Sequence, residues 1–141
     1  MAYWLIKSEP SAYSWEQFVK DKKTSWTGVR NPQAAMNLKA MKAGDLCFFY
    51  HSNEGKEIVG IAKVVKTAYP DPTDKTGKAV TVDVAAVEPV KNSVTLAAIK
   101  AEPKLKDFGL VRQSRLSVVP VNDEQWKLIT KMTSVKTTGA K

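Results

Sequence analysis

The chain has 141 residues, of which 43% are hydrophobic and 26% are charged, and its formal net charge is +8 at pH 7. This length and composition predict one soluble globular domain with a substantial core. A disulfide scaffold is excluded because Cys47 is the single cysteine, and no apolar run has the length of a membrane span. Residues 1–7 lack the pattern of a signal peptide, so the expected location is cytoplasmic.

The basic charge favours an anionic partner, nucleic acid above all, although it is also a common device for solubility. Only three of the 22 basic residues are arginines, namely Arg30, Arg112 and Arg115. Arginine suits bidentate and stacking contacts with phosphates and bases. All three lie in two polar clusters, 26–31 and 112–117, which are therefore candidate binding segments.

Hydrophobic periodicity and capping residues predict the elements in chain order. Strands are expected over 3–7, 46–49, 58–65, 79–87 and 116–119, and helices from Ser14, Asn31, Thr95 and Asn122. Residues 21–25 and 69–77 are expected to be surface loops. The pattern predicts an α+β fold, a small mixed β-barrel of about five strands with short flanking helices at its open ends. One domain is expected over 1–132, followed by a disordered basic tail over 133–141.

The apolar block from Leu46 to Phe49 predicts a strand that is buried on both faces. It runs directly into Tyr50, His51 and Ser52, whose side chains can donate and accept hydrogen bonds. A packed strand that ends in such groups would present them at the lip of a pocket. A simple turn is the competing explanation, because turns favour polar residues.

Trp26 is the tryptophan that no apolar stripe explains. Trp4, Trp15 and Trp126 fit strand or helix stripes, whereas Trp26 follows a polar loop. A tryptophan beside Arg30 suits stacking against a base, although loop tryptophans also cover cores. The residues alone therefore favour a binder of nucleic acid or of a small planar molecule.

A small-molecule or hydrolytic pocket is the alternative. His51 could meet Asp83 and one of Ser8, Ser52 and Ser117, but no nucleophile-elbow motif is present, so no enzyme is predicted. No metal or cofactor is expected, because the chain has one histidine, one cysteine and no glycine-rich phosphate loop. A protein-interaction module is a third possibility, which an exposed apolar patch would support.

Six segments, in this order, resemble the EVE domain family: YWLIKSEP at 3–10, WTGVRN at 26–31, FFYHSN at 48–53, YPD at 69–71, VDV at 82–84 and RLSV at 115–118. The resemblance covers about residues 2 to 132. It implies a PUA-like fold, similar to the YTH and SRA domains that bind methylated bases. It also implies a non-catalytic module that encloses one modified nucleobase, either modified cytosine in DNA or a modified base in RNA.

Carried over by motif, the resemblance implies two groups of site residues. The base pocket would comprise Trp26, Asn31, Tyr50, His51, Ser52, Ser8, Glu9, Pro10, Leu116 and Ser117, and the phosphate contacts or rim would comprise Lys7, Gly28, Val29, Arg30, Asn53 and Arg115. Trp26 would stack on the base, and Tyr50 would shape the wall. Asn31 and Ser52 would contact the hydrogen-bonding edge. The expected partner is nucleic acid, with no metal, no cofactor and no membrane, and a monomer is expected.

The sequence departs from the family pattern in three places. Pro32 stands where a tyrosine is common, Ala35 and Met36 replace a stretch that often holds an arginine, and 78–81 lacks a common tryptophan. These departures bear less on the pocket than on the surface that would contact flanking phosphates.

Overall fold

A computed structural model describes residues 2–52, 55–113 and 115–133. The strands are β1 Tyr3–Ser8, β2 Lys23–Ser25, β3 Leu46–His51, β4 Glu57–Pro70, β5 Val80–Thr95 and β6 Val118–Val121. The helices are α1 Trp15–Asp21, α2 Pro32–Ala40, α3 Leu96–Ala101, α4 Gly109–Arg112 and α5 Asp123–Thr133, with a 3-10 turn at Pro103–Leu105. No helix in these ranges is long and apolar enough to cross a membrane.

The strands form one mixed sheet in the order β2-β5-β4-β3-β1-β6. β1 and β3 run parallel, and the other neighbouring strands are antiparallel. A mixed sheet with short helices was predicted and is confirmed. The barrel of about five strands is wrong, because the sheet has six strands and is open, with β2 and β6 at its two edges.

The strand that the sequence does not predict is β2, which lies in a stretch expected to be a solvated loop. Lys23–Ser25 pairs with β5 at the edge of the sheet. The strand is short and polar, as edge strands often are, because charged side chains discourage pairing with other chains. Its sequence therefore carries none of the apolar alternation by which a strand is recognised.

The core is built around β3, as the apolar block predicts. Cys47, Phe48 and Phe49 are all fully buried. Phe48 stacks on Trp126 of α5 with ring centroids 4.0 Å apart, and Phe49 stacks on Phe18 of α1 at 5.4 Å. Aromatic rings from separate helices therefore pack on β3 and hold it in place.

The capping residues start the helices where the sequence predicts. At α2 the Ala34 backbone N–H donates to Asn31 Oδ1 at 2.9 Å. At α1 the Gln17 backbone N–H donates to Ser14 Oγ at 3.1 Å, but the Gln17 side chain donates to Asp21, so only half of the expected capping box forms. The predicted helix starts are thus confirmed at both positions.

Gly60 in β4 is both a bulge and a point of close approach, as predicted. The register of β4 against β5 shifts between Ile58 and Gly60. A Cβ atom at Gly60 would lie 2.4 Å from the Trp15 ring. Only glycine leaves room for α1 to pack against the sheet at this point.

The C-terminal helix reaches one residue further than predicted. Thr133 is fully buried and its hydroxyl donates to the Thr130 carbonyl at 2.9 Å, so it belongs to α5 and not to the predicted tail of 133–141. Residues 134–141 lie outside the described residues, and so does Asn53 of the predicted hairpin loop.

Candidate functional site

A cleft of about 450 Å³ opens beside the end of β1, facing the segment 24–30. Its volume falls within the range of small-molecule binding pockets, roughly 300–1,000 Å³. It is lined by Lys7, Ser8, Glu9, Ala12, Tyr13, Thr24, Ser25, Trp26, Thr27, Gly28, Val29, Arg30 and Ser117.

One side of the cleft, here called the strand wall, consists of Lys7, Ser8, Glu9 and Ser117. Backbone pairing positions it: the Lys7 N–H donates to the Ser117 carbonyl at 3.0 Å, and the Ser52 N–H donates to the Ser8 carbonyl at 2.9 Å. Lys7 is partly buried, and this burial lowers the pKa of its ammonium group. The strand wall therefore carries a cation on a backbone that the sheet holds from both sides.

The other side, here called the loop wall, consists of residues 24–30. Past β2, the Trp26 N–H donates to the Val82 carbonyl and the Gly28 N–H donates to Asp71 Oδ2, both at 2.8 Å. Gly28 has a φ of +85°, a conformation that residues with a Cβ rarely adopt. Beyond Trp26 the wall is thus shaped by a glycine turn and by a carboxylate from a distant loop.

Asp71 ties the loop wall to the turn between β4 and β5. Its side chain is fully buried and accepts hydrogen bonds from the Thr73 N–H at 2.7 Å, the Thr73 hydroxyl at 2.6 Å and Arg30 Nη1 at 3.2 Å, in addition to Gly28. Burial alone would raise the pKa of this carboxyl, but the hydrogen bonds outweigh burial and hold the pKa well below its usual range. Asp71 therefore stays ionised and holds Arg30 at the cleft.

Trp26 belongs to the core as well as to the cleft. It is 8% exposed, and its ring lies edge-on to Phe49 at 5.7 Å and to Tyr13 at 6.4 Å between centroids. No periodic apolar stripe contains Trp26, and it packs instead against residues that are distant in sequence, as a loop tryptophan that covers a core does. Its ring is fixed by these neighbours and forms part of the cleft lining.

Two hydroxyl groups in the cleft have already donated their hydrogens to the protein. Ser8 Oγ donates to the Tyr13 carbonyl at 2.6 Å, and Ser25 Oγ donates to Asp83 Oδ1 at 2.8 Å. The Tyr69 hydroxyl lies 2.9 Å from Ser25 Oγ and donates its one hydrogen to the same Asp83 oxygen at 2.5 Å, so that hydrogen does not occupy a lone pair of Ser25. Both serine oxygens thus present lone pairs and suit a ligand that donates hydrogen bonds.

The structure brings together about half of the predicted site residues. The cleft lining contains Lys7, Ser8, Glu9, Trp26, Gly28, Val29, Arg30 and Ser117; it does not contain Pro10, Asn31, Tyr50, His51, Ser52, Arg115 or Leu116. Tyr50 is 3% exposed and Leu116 is 6% exposed, so both lie in the core. The Asn31 side chain caps α2. These residues lie next to the walls without lining the space between them.

Five cleft residues were not predicted from the sequence, namely Ala12, Tyr13, Thr24, Ser25 and Thr27, and Asp71 behind the loop wall was assigned no role. Tyr13 donates its hydroxyl hydrogen to Asp21, and burial together with this bond raises its pKa to about 12. The spacing of an aspartate two residues before a threonine is a local signal for the turn at Asp71. No local signal indicates which distant loop that carboxylate meets.

His51 has a structural partner in place of a catalytic one. Its Nε2 accepts a hydrogen bond from the Trp15 N–H at the start of α1, at 3.0 Å. Burial lowers the pKa of His51, and it outweighs the negative charges of Glu57 and Glu16, which act to raise that pKa. Among residues 2–52, 55–113 and 115–133, no hydrogen bond joins His51 to a serine hydroxyl or to Asp83. In the described residues His51 thus contributes a hydrogen bond to the start of α1.

The described part of the chain also lacks a set of side chains that could bind a metal ion together. No group of three or more His, Cys, Asp or Glu residues that could hold a metal ion occurs there. Cys47 is fully buried, and this burial raises the pKa of its thiol above the ordinary value.

The sequence matches the family model of the EVE domain over residues 2–132. The chain belongs to the EVE domain family. It is 34% identical to human thymocyte nuclear protein 1, in an alignment that covers 91% of this chain and 72% of that protein. That relative is named as nuclear, so the cytoplasmic location expected for this EVE domain protein stays a prediction.

Solved structures share the fold of this EVE domain. An NMR structure of a Rhodopseudomonas palustris protein, 55% identical, covers 99% of this chain and 98% of its own with a TM-score of 0.91. Human THYN1 in complex with DNA containing 5-methylcytosine is 32% identical and covers 97% and 100%, with a TM-score of 0.87. A YTH domain from Zygosaccharomyces rouxii, 16% identical, has a TM-score of 0.61 and shows a likeness in fold.

Proposed function

We propose that this chain is a nucleic-acid-binding module that holds one modified nucleobase in the cleft between the strand wall and the loop wall. The observation that carries the proposal is the cleft, which Trp26 lines and to which the two walls contribute Lys7 and Arg30. The similarity to human THYN1, whose crystal structure contains DNA with 5-methylcytosine, supports the proposal. Trp26 contacts the base, and the two cations meet the backbone on either side.

The hydrogen-bonding pattern of the cleft favours a base that carries an amino group. Ser8 and Ser25 present acceptor oxygens, because both donate their own hydrogens to the protein. The exocyclic amine of cytosine or adenine is a donor, whereas the corresponding position of thymine is an acceptor. We therefore favour a modified cytosine, the base in the human THYN1 complex, over a modified uracil or thymine.

The residues beside the cleft have supporting roles in this proposal. Asn31 and His51 cap α2 and α1, and Ser52 bonds to the strand wall, so each fixes a segment that touches the base. Tyr50 is buried and supports the strand wall from behind. Glu9 and Ser117 line the cleft and are available to the base edge.

Fluorescence anisotropy with the whole chain and short labelled oligonucleotides tests the proposal. DNA and RNA carrying cytosine, 5-methylcytosine or thymine at one central position are compared at two salt concentrations. We expect tighter binding to methylcytosine that persists at the higher salt, because pocket contacts are less salt-dependent than phosphate contacts. Equal binding to all oligonucleotides that falls steeply with salt would mean that the lysines bind phosphates without base recognition. The ligand of the cleft would then have to be sought among small planar molecules.

Ser25→Ala provides the matched variant. Ser25 is exposed, so its loss leaves the fold intact, but the cleft loses one acceptor. We expect the preference for methylcytosine over thymine, two bases with the same methyl group, to fall in this variant. Ser93→Ala, at another exposed strand position, is the control and keeps the preference of the wild type. An unchanged preference in Ser25→Ala would remove Ser25 from the recognition of the base.

A further inference from the structure

Helix α2 has two faces, and only one of them meets the core. Ala34 and Leu38 are fully buried. The opposite face carries Pro32, Ala35, Met36 and Lys39, which follow the i, i+3, i+4, i+7 spacing of a single helical stripe. Met36 is 63% exposed, more than any other large hydrophobic residue in the described part of the chain. An apolar stripe therefore faces solvent on this helix.

This stripe forms one side of a groove of about 600 Å³, here called the α2 groove. Its lining residues are Val29, Arg30, Pro32, Ala35, Met36, Lys39, Asp74, Thr76, Lys78 and Ala79. Val29 and Arg30 also line the cleft. The α2 groove and the cleft are thus adjacent and separated by the last two residues of the loop wall.

The charges of the α2 groove favour an anion. Arg30, Lys39 and Lys78 line it, against the single carboxylate of Asp74. That carboxylate accepts hydrogen bonds from the Thr76 hydroxyl and N–H and from the Ala79 N–H, which lower its pKa to about 2. Its oxygens are therefore engaged within the turn, and the groove presents a surplus of cations around an apolar floor.

We propose that the α2 groove binds the nucleotide next to the base in the cleft, on the same strand. The proposal rests on the proposed function, since it extends the path of that strand past Arg30. Arg30 is oriented for this role, because Asp71 and Thr73 hold its guanidinium while 48% of the side chain stays exposed. Lys39 and Lys78 contact the phosphate, and Met36 packs against the flanking base or sugar.

An apolar side chain between cations suits a nucleotide better than it suits a free phosphate or an acidic peptide. A nucleotide joins a flat apolar surface to an anionic group, and methionine adapts its shape to such surfaces. Lys39 and Lys78 supply the charge at the margins of the groove.

The test compares the double variant Lys39→Gln, Lys78→Gln with the wild-type chain over a salt series. The ligands are single-stranded oligonucleotides with a central 5-methylcytosine and flanks of increasing length. We expect the slope of log K against log salt to become shallower by about 0.7 for each phosphate that the variant no longer neutralises. This change should appear only when a flank is present, and the ratio of binding to methylated and plain oligonucleotides should stay near that of the wild type.

Lys104→Gln, Lys127→Gln is the matched control with the same change in charge. Both lysines line a separate groove that shares no residue with the cleft or with the α2 groove. We expect this control to keep the slope of the wild type. Equal effects of the two double variants would mean that only net charge matters, and would overturn the proposal.

Met36→Ser tests the apolar contact separately. We expect a severalfold loss of affinity for the flanked oligonucleotide and no loss for one without flanks. Unchanged affinity for both would remove Met36 from the interface.

The outcomes separate this proposal from the proposed function. A wild-type preference for methylcytosine combined with an unaltered slope in Lys39→Gln, Lys78→Gln would leave the cleft assignment standing and reject the α2 groove. An absence of any preference or of nucleic-acid binding in the wild type would reject both.

Discussion

The two walls of the cleft are built by different means. The strand wall lies at the end of β1, which pairs with β3 on one side and with β6 on the other, so the backbone ladder fixes it. The loop wall is attached to the sheet through β2 and the Trp26 N–H. From Thr27 to Arg30 it depends on the hydrogen bonds that Asp71 accepts from Gly28 and Arg30. The strand wall thus withstands the change of any one side chain, whereas the loop wall depends on a few of them.

This difference suggests a division of labour in recognition. A wall held by many backbone bonds supplies a rigid reference surface, while a wall held by one carboxylate can vary in sequence and shape around it. Variants at the contacts of each wall therefore test the comparison directly, beginning with the residue that joins the loop wall to the core.

Trp26→Ala should have the largest effect on stability. The side chain is 8% exposed and packs edge-on to Phe49 of β3, so its removal leaves a cavity between the loop wall and the core. We expect a loss of about 3–5 kcal/mol in the free energy of unfolding, measured by urea titration. Met36→Ala, which truncates an exposed side chain, should stay within about 0.5 kcal/mol.

Trp26→Phe keeps an aromatic ring and should destabilise the protein less than Trp26→Ala. It is therefore the variant in which to measure binding. A fully stable Trp26→Ala protein would contradict the packing of this ring against Phe49 and would place it outside the core.

Asp71→Asn should have the next largest effect. The amide removes the charge and sets its own N–H groups against donors from Gly28 or Thr73, in a side-chain site that is fully buried. We expect a loss of about 2–3 kcal/mol in unfolding free energy at neutral pH. Binding should also weaken, because Arg30 loses its anchor. Asp107→Asn, at an exposed position, is the control and should be nearly neutral.

The effect of Asp71→Asn should depend on pH in a defined direction. The folded-state pKa of Asp71 lies below the unfolded-state value of about 3.9, so the carboxylate stabilises the fold above that pH. The difference between wild type and variant should therefore be full at neutral pH and shrink as the pH falls below about 3.9. A difference that grows with acidification would mean that the carboxyl is protonated in the folded state.

Substitution of His51, at the end of β3, should change the free energy of unfolding less than Asp71→Asn. Its pH dependence should appear at higher pH. Its folded-state pKa is lowered by burial, while the unfolded value is about 6.5. The stability that neutral His51 contributes is present above about pH 6.5 and is lost as the pH falls below it, because the unfolded chain takes up the proton first.

His51→Gln isolates this contribution. The amide oxygen of glutamine can accept from the Trp15 N–H but does not titrate, so the variant should lose less stability than wild type between about pH 7 and pH 5. Where the amide oxygen takes over the hydrogen bond, the two proteins should differ by no more than about 1 kcal/mol at pH 8, the net worth of that bond. Parallel pH profiles for the two proteins would show that His51 is not the titrating group.

The parts of the fold that sequence predicts are those with local signals. The block from Leu46 to Phe49 and the Asn31 cap of α2 both depend on neighbours within a few residues, and the structure confirms both. Family motifs also pointed to the loop wall, through Trp26 and Arg30. The apolar block and the cap have the same meaning in any fold, whereas the motifs have meaning only within the family.

The parts that sequence did not predict depend on contacts between distant segments. Lys23–Ser25 is a strand only because β5 offers an edge to it, and the sheet stays open because β2 and β6 end at opposite edges. Asp71 accepts a hydrogen bond from Gly28, 43 positions away in sequence, and no local sequence pattern at either residue predicts this pairing. Tyr50 is buried and His51 accepts a hydrogen bond from the Trp15 N–H of α1, two placements that depend on segments distant in sequence.

The position of β1 inside the sheet has a consequence for synthesis on the ribosome. Tyr3 pairs with Leu46 on one side and with Val121 on the other, so β1 has one neighbour, β6, that is synthesised more than 100 residues after it. Until β6 emerges, one edge of β1 is open to other chains, and contacts of such high sequence separation form slowly. The nascent chain therefore passes through a stage in which chaperones have an exposed strand edge to bind, and the strand wall is completed only after β6 has emerged.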